Sequence, residues 1–326
     1  MLGEFELIAR YFAPLAADEP AALGLTDDAA VLAPPPGREI VLTADAMVAG
    51  VHFLPSDPAE QVAQKLLRVN LSDLAAMGAK PLGYLLTCCW PKATEEAWVA
   101  SFAAGLLADQ QAFGLRVLGG DMTSTPGPLT LSLTALGHVA PGRALRRSTA
   151  RAGDLVCVSG SIGDGALGLG VLTREWVGLP DAVAGFLAER YRRPRPRLAL
   201  GQALAERGLA TACLDVSDGL VADLGHIAET SGLGAEIDAP RVPLSEAART
   251  LLADDLELFD RVLTGGDDYE LCFTLAPERA DELPALADSL DLPLTVIGRM
   301  RTGRGVRVLD RDGQPLTLRR SGWTHF

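Results

Sequence analysis

The chain has 326 residues, 48% hydrophobic and 22% charged, a globular composition with a large core that excludes a disordered chain. A formal charge of -13 excludes a general nucleic-acid binder, which needs a basic face, but not a nucleotide substrate whose charge bound metal ions offset. Charge, Gly or Pro interrupts every apolar run before the roughly 18 residues of a membrane span. The acidic start MLGEFELIARYF reads as a helix and not as a basic signal peptide. Cys88, Cys89, Cys157, Cys213 and Cys272 lie in apolar or strand-like runs, so buried free thiols in a reducing cytoplasm are expected.

In chain order, the periodicity predicts a first helix over 5–15 with Phe5, Ile8 and Phe12 on one face. Asp27 and Asp28 form a turn leading into a short strand, and the Pro34-Pro35-Pro36-Gly37 break precedes a strand at 41–43. Asp45 is expected where that strand gives out, with His52 soon after. A helix starting at 56–58 carries Val62, Leu66, Val69 and Met77 on one stripe, and Asp73 sits in its middle. A carboxylate there is costly to desolvate unless it binds a metal or pairs with a buried Arg or a helix N-terminus. Asn70 lies one turn back.

Gly78 ends that helix, 81–89 reads as an apolar strand, and 94–96 cap a helix bearing Trp98, Phe102 and Leu106. Residues 115–118 form a short strand that Gly119-Gly120-Asp121 is expected to end. Its glycines suit either close approach to a phosphate or a plain tight turn. Residues 129–139 alternate as a half-buried strand should. Four acidic sites at the edges of apolar runs (Asp27-Asp28, Asp45, Asp73, Asp121) suggest a shared cation, because close carboxylates repel unless something positive lies between them.

A linker opens at Pro141 and sets a boundary between domains at 1–140 and 150–326. After a strand at 155–158, Gly163–Gly168 spells GxGxxG, but no second strand with a terminal acid follows at the dinucleotide spacing, and the Walker Gly-Lys ending is missing. A glycine-rich packing turn, near a ligand or not, is the expectation. The basic run 191–197 suits either phosphate or a solvated loop. A strand at 212–216 ends in Asp215 and Asp218, and the helix after it presents a first turn open to anions. Further strands and helices alternate to the end, with GGDDYELCFTL as turn and strand.

The segments TDDAAVL, Asp45 to His52, NLSDLAAMGAKP, GGDM, RRS before GD, LDVSDGLVADLGHI, GGDDYELCFT and the terminal GW-HF together resemble the thiamine-monophosphate kinase family, in order over 3–326. That family belongs to the aminoimidazole ribonucleotide synthetase-like superfamily. The resemblance implies an α/β fold of α+β type, with an N-terminal domain that binds ATP and Mg2+ and dimerises, and a C-terminal mixed-sheet domain. It implies transfer of the ATP γ-phosphate to thiamine monophosphate with several Mg2+ ions, in a cytoplasmic homodimer.

Residue by residue, it assigns metal binding to Asp28, Thr43, Asp45, Asp73, Asp121, Asp215 and Asp218. It assigns ATP contacts to Gly120, Asp121, Arg147 and Ser217, and thiamine phosphate contacts to His52, Asp267 and Trp323. Read alone, His52 is a hydrogen-bonded structural histidine and Trp323 a packed C-terminal anchor. The sequence departs from the family at Ala44 (usually Thr or Ser), Thr26 (commonly Gly) and Asp267 (usually Glu). Two rivals stand: a sister enzyme acting on another small acceptor, and a non-catalytic cation or nucleotide sensor. No Cys precedes Cys88 and the chain ends Thr324-His325-Phe326, so reactive-cysteine sister chemistries are disfavoured.

Overall fold

The computed structural model describes residues 3–254, 258–319 and 322. The chain divides into two compact units, Met1–Leu74 with Ala79–Gly142, and Ala75–Gly78 with Arg143–Phe326.

The N-terminal unit opens on a broken helix: α1 (Glu4–Leu7), a π turn (Ile8–Phe12) and a 3-10 turn (Ala13–Ala16). Pro14 has no N–H to give the Arg10 carbonyl, so the α ladder cannot run through. The wider π spacing turns Leu7 and Phe12 inward together, while Phe5, expected on that face, is 82% exposed. The short strand expected after Asp28 does not form; Val31 is exposed and its N–H reaches the Ala21 carbonyl at 2.9 Å.

Four strands then make one sheet: β1 (Glu39–Val48), β2 (Lys80–Pro91), β3 (Arg116–Thr125) and β4 (Thr130–Val139), in the order β1-β4-β2-β3. β4 is antiparallel to both neighbours, and β2 and β3 are parallel. Residues 131, 133 and 135 of β4 are wholly buried and their neighbours only partly, as the alternation predicts. Two strands run further than expected. β1 continues through Asp45 to Val48, because Ala44 and Ala46 alternate with Thr43, Asp45 and Met47 without a breaker. β3 continues through Gly119, Gly120 and Asp121, which therefore lie mid-strand and not in a turn. A bulge that skips Leu118 shifts the β2–β3 register, and a Cβ on Gly120 would stand 1.8 Å from the Leu86 carbonyl oxygen.

Two long helices belong to this unit, α2 (Ala59–Ala76) and α3 (Glu96–Phe113). α2 is rich in Ala and Leu, lacks Gly and Pro, and is buried nearly all round, not along one stripe; Met77 falls just past its end. Its buried Gln64 and partly buried Arg68 both bond Asp109 of α3, Arg68 by a fork at 2.7 and 2.9 Å. The N-cap of α3 is Glu95, which makes no side-chain cap bond. Trp98 stacks on Phe102 with centroids 5.5 Å apart, and Trp90 of β2 meets both edge-on at 5.7 Å.

In the C-terminal unit six strands form a mixed sheet: β5 (Leu155–Ser159), β6 (Ala212–Asp215), β7 (Gly234–Asp238), β8 (Leu271–Leu275), β9 (Leu294–Arg301) and β10 (Gly305–Leu309). Their order is β10-β7-β9-β5-β8-β6, with only β10 and β7 parallel. The helices are α4 (Asp164–Leu172), α5 (Asp181–Arg192), α6 (Leu198–Arg207), α7 (Leu220–Thr230), α8 (Glu246–Asp254), α9 (Leu258–Thr264) and α10 (Leu283–Leu290). The sheet is buried on both faces. Val156, Val158 and Leu214 join a core with α4, α7 and α8, and Cys157, Cys213 and Phe273 join another with α6 and α10.

Candidate active site

In the N-terminal unit, strand parity decides which acids can meet. Thr43 and Asp45 point to the face covered by α2, where Thr43 Oγ1 donates to Asp73 Oδ2 at 2.5 Å. Asp45 also shares a hydrogen bond with Asp73. Burial first, then the charge of Asp73 and that bond, push the Asp45 carboxyl up to about 6. Two carboxylates thus meet on one face of the sheet. Asp73 is held against Asp45 and Thr43.

Asp121 sits one row further on. It pairs with Thr87, which pairs with Ser132, and this row faces away from α2. On that open face runs a groove of ≈ 610 Å³, lined by Asp27 and Asp28, by Gly119, Gly120 and Asp121 of β3, and by Ser132 and Thr134 of β4. Asp45 and Asp73 meet on the face covered by α2, and Asp28 and Asp121 line the groove on the other. Among the described residues no group of three or more His, Cys, Asp or Glu side chains is arranged to hold a metal alone. A magnesium site does not require one, because Mg2+ is commonly held by one or two carboxylates together with substrate phosphates.

His52 closes the turn after β1. Its Nδ1 accepts the Val48 N–H at 3.1 Å, its own N–H bonds the Val48 carbonyl at 3.0 Å, and buried Lys65 donates to its carbonyl at 3.0 Å. The structural role read from the sequence is thus present.

In the C-terminal unit two loops are zipped together. Asp267 N–H donates to the Ser217 carbonyl at 2.9 Å, Tyr269 N–H to Val216 at 2.8 Å, and Val216 N–H to Glu270 at 2.8 Å. A Cβ on Gly266 would stand 2.1 Å from the Ser217 oxygen, which is why glycine is needed there. Asp215, Ser217, Asp218 and Asp267 are thereby gathered on adjoining chain segments, with Asp215 buried. Arg147 is exposed, and its charge acts on Asp223 at the start of α7.

From the first turn of α7, Asp223 reaches back to the loop before the helix. Asp223 accepts the N–H groups of Ser217 and Asp218, each at 3.0 Å. Burial raises its carboxyl to about 7, partly offset by those two donors. At the start of α4 an aspartate takes the helix's own N–H groups: Asp268 accepts from Gly163 at 2.6 Å and Gly165 at 2.9 Å. The GxGxxG segment is a packing device, as expected. A Cβ on Gly165 would stand 2.3 Å from the Asp267 carbonyl oxygen, and one on Gly168 would stand 2.1 Å from that of Leu187. Of the basic run, Arg197 bonds buried Glu270, as does Arg190 just before the run, while Arg195 is exposed.

Sequence reasoning missed Asp223, Asp268, Glu270 and Arg190. The readable signals were an aspartate in the first turn of a helix and one basic run in an acidic chain. Trp323 lies outside the described residues; Gly322 before it lies against Ala222 and the Asp218 carbonyl. A further groove of ≈ 850 Å³ between α7 and β10, lined by Val221, His226, Glu229 and Arg304, carries none of the predicted residues.

Residues 26–139 match the N-terminal domain, and residues 151–311 the C-terminal domain, of AIR synthase related proteins. The chain is 43% identical over 325 residues to a thiamine-monophosphate kinase of Caulobacter vibrioides, covering 99% of this chain and 90% of that protein. The crystal structure of thiamine-monophosphate kinase from Stenotrophomonas maltophilia K279a is similar with a TM-score of 0.86 and 44% identity, over 97% of this chain and 98% of that one. AaThiL complexed with AMPPCP and TMP is similar at a TM-score of 0.79 and 32% identity, over 100% of this chain and 97% of that one.

Proposed function

This chain belongs to the thiamine-monophosphate kinase family, with the two-domain AIR synthase-like fold, and from that premise we propose that it phosphorylates thiamine monophosphate with ATP to give thiamine diphosphate and ADP. The observation that carries the reading from the geometry is the Asp45–Asp73 pair with Thr43, two carboxyls held in contact where a divalent cation would replace a shared proton. Thr43, Asp45 and Asp73 form one ligand group on the covered face of the N-terminal sheet, and Asp28 and Asp121 a second on its open face. Asp215 and Asp218 are the ligands from the C-terminal unit. Their hard carboxylate oxygens suit Mg2+, which when bound supplies charge neutralisation between the phosphates.

Gly120, Arg147 and Ser217 contact ATP together with Asp121. Gly120 and Asp121 both line the groove on the open face, which supports this role. His52, Asp267 and Trp323 contact the acceptor. Transfer is direct. An anionic oxygen of the acceptor phosphate forms a bond to the γ-phosphorus as the bond to the β–γ bridging oxygen breaks, and ADP leaves with that electron pair. The chain's own part is to position the two phosphates and relieve their repulsion, with the Arg147 guanidinium contributing charge.

The N-terminal domain (1–140) binds ATP and Mg2+ and dimerises, and the C-terminal domain spans 150–326. The dimer reading is supported by apolar side chains on the open face of the first sheet, where Leu42 is 65% and Leu85 40% exposed. Among the described residues no helix is long and apolar enough to cross a membrane, and all five cysteines are free thiols. Both support a cytoplasmic setting. Incubation with Mg2+ and ATP, with and without thiamine monophosphate, tests the function. Thiamine diphosphate and ADP should appear in equal amounts and only with the acceptor; ADP formed at the same rate without it would overturn the kinase reading.

A further inference from the structure

The GGDDYE loop, residues 265–270, carries two non-glycine residues in the left-handed region, Asp267 at φ 71° and Tyr269 at φ 52°. Such backbone costs of order 1 kcal/mol or more per residue and persists only where the surroundings over-determine it. Here they do. Asp268 and Glu270 are buried, and Asp267 and Tyr269 between them are partly exposed. Asp268 is fixed by the Gly163 and Gly165 N–H groups. Glu270 accepts from Ser159 Oγ at 2.6 Å, from Arg190 Nη2 at 2.8 Å and from Arg197 Nε at 2.6 Å, and Arg197 Nη2 adds a second bond.

Arg190 ties these anchors into one network. It is 3% exposed; besides Glu270 it reaches the Asp268 carbonyl at 3.5 Å and the Asp164 carboxylate at 3.7 Å. Asp164 is itself bonded by Ser161 and Ser245. The result is three buried carboxylates and two guanidinium groups where an apolar core would serve stability as well or better. Arg190 Nη1 has no hydrogen-bond partner among the described residues, a further cost that packing alone does not explain.

We propose that Arg190, acting with Arg197 through Glu270, is a positioning residue for the acceptor: the network holds the 265–270 loop in its left-handed path and so sets where Asp267 meets thiamine monophosphate. The inference rests on the reading of Asp267 as an acceptor contact. It goes beyond that reading in assigning two arginines of α5 and the segment after it, neither of them a substrate contact, to acceptor specificity.

A mutant cycle tests it, with steady-state KM for both substrates and equilibrium binding of thiamine monophosphate by calorimetry. Arg190→Lys keeps the charge and loses the guanidinium that reaches Glu270, Asp164 and the Asp268 carbonyl together. It should raise KM and Kd for thiamine monophosphate about tenfold, leave KM for ATP within twofold, and add little when Asp267 is already Ala. If Arg190→Lys does not fold, Arg197→Lys, at a more exposed position on the same carboxylate, carries the test with the same expected split. Equal rises in both KM values, or full additivity with Asp267→Ala, would overturn the positioning role. If Asp267→Ala alone leaves acceptor binding unchanged, the acceptor reading of Asp267 fails and the inference falls with it, a result that the Arg variants cannot mimic.

Discussion

At Asp45 two effects push the same way: burial disfavours its charge, and the Asp73 carboxyl 28 residues along the chain disfavours it again. The ordinary carboxyl value is 3.8, and here it rises to about 6, so the folded chain holds more protons than the unfolded one between those limits. Stability of the metal-free protein should therefore fall as pH rises from about 4 to about 6, by about 3 kcal/mol for a shift of this size, and stay lower above. A cation that replaces the proton restores the loss. Mg2+ should thus raise the Tm most above pH 6 and progressively less below it. Asp45→Asn removes the repulsion, so it should melt a few degrees above the parent without metal at pH 7.5 and gain less from Mg2+ than the parent does. A full Mg2+ response in that variant would place the ion elsewhere. Asp73→Asn relieves the same repulsion, so it should lower turnover by orders of magnitude without melting below the metal-free parent, read by assay at limiting Mg2+ and by a melt without metal.

The strands of the first sheet carry the site by parity and by close approach. Asp45 and Asp121 were legible as acids at the edges of apolar runs, but the face each one occupies was not. A strand that overruns its expected end by a few residues, or a bulge that skips one, changes which face a side chain takes. The glycine pair in β3 likewise read as a turn because glycine and aspartate dominate turns, whereas Gly120 is needed for contact with the neighbouring strand. Gly120→Ala should cost about 2 kcal/mol or more, since its Cβ would meet backbone that cannot swing aside. Gly119→Ala is the control: its Cβ would meet only Leu85 Cδ2 at 3.5 Å, an ordinary contact. Urea titration of both variants checks the difference, and equal midpoints would show that β3 shifts freely. The start of α4 holds a similar surprise, for its N–H groups are taken by Asp268, more than a hundred residues along the chain.

For the whole molecule, two properties follow from the proposed reaction. Chiral γ-phosphate ATP should give inverted configuration at the transferred phosphorus, because one in-line displacement inverts and two restore it; net retention would demand a phosphoenzyme. The proposed homodimer should sediment at twice the 34.2 kDa chain mass. Leu42→Asp, on the open face of the first sheet, should shift it toward monomer, and an unchanged sedimentation coefficient would move the interface off that face.

What the sequence by itself determined was the kinds of chemistry present and their order along the chain. The acidic motifs, the half-buried alternation of β4, the free thiols and the absence of a dinucleotide or Walker pattern are local signals, each set by the composition and spacing of a few adjacent residues. The tertiary structure decided which of those residues meet. Asp45 finds Asp73 rather than Asp121 because a pleated strand sends alternate side chains to opposite faces, and the register of β1 on β4 and of β4 on β2 selects the face. Arg190 and Arg197 find Glu270 more than seventy residues away because the fold brings α5 and the segment after it beside the loop that leads into β8. A buried carboxylate recruits whatever cation folding brings within reach, since desolvating it alone costs several kcal/mol, and no property of the local sequence states which cation that will be.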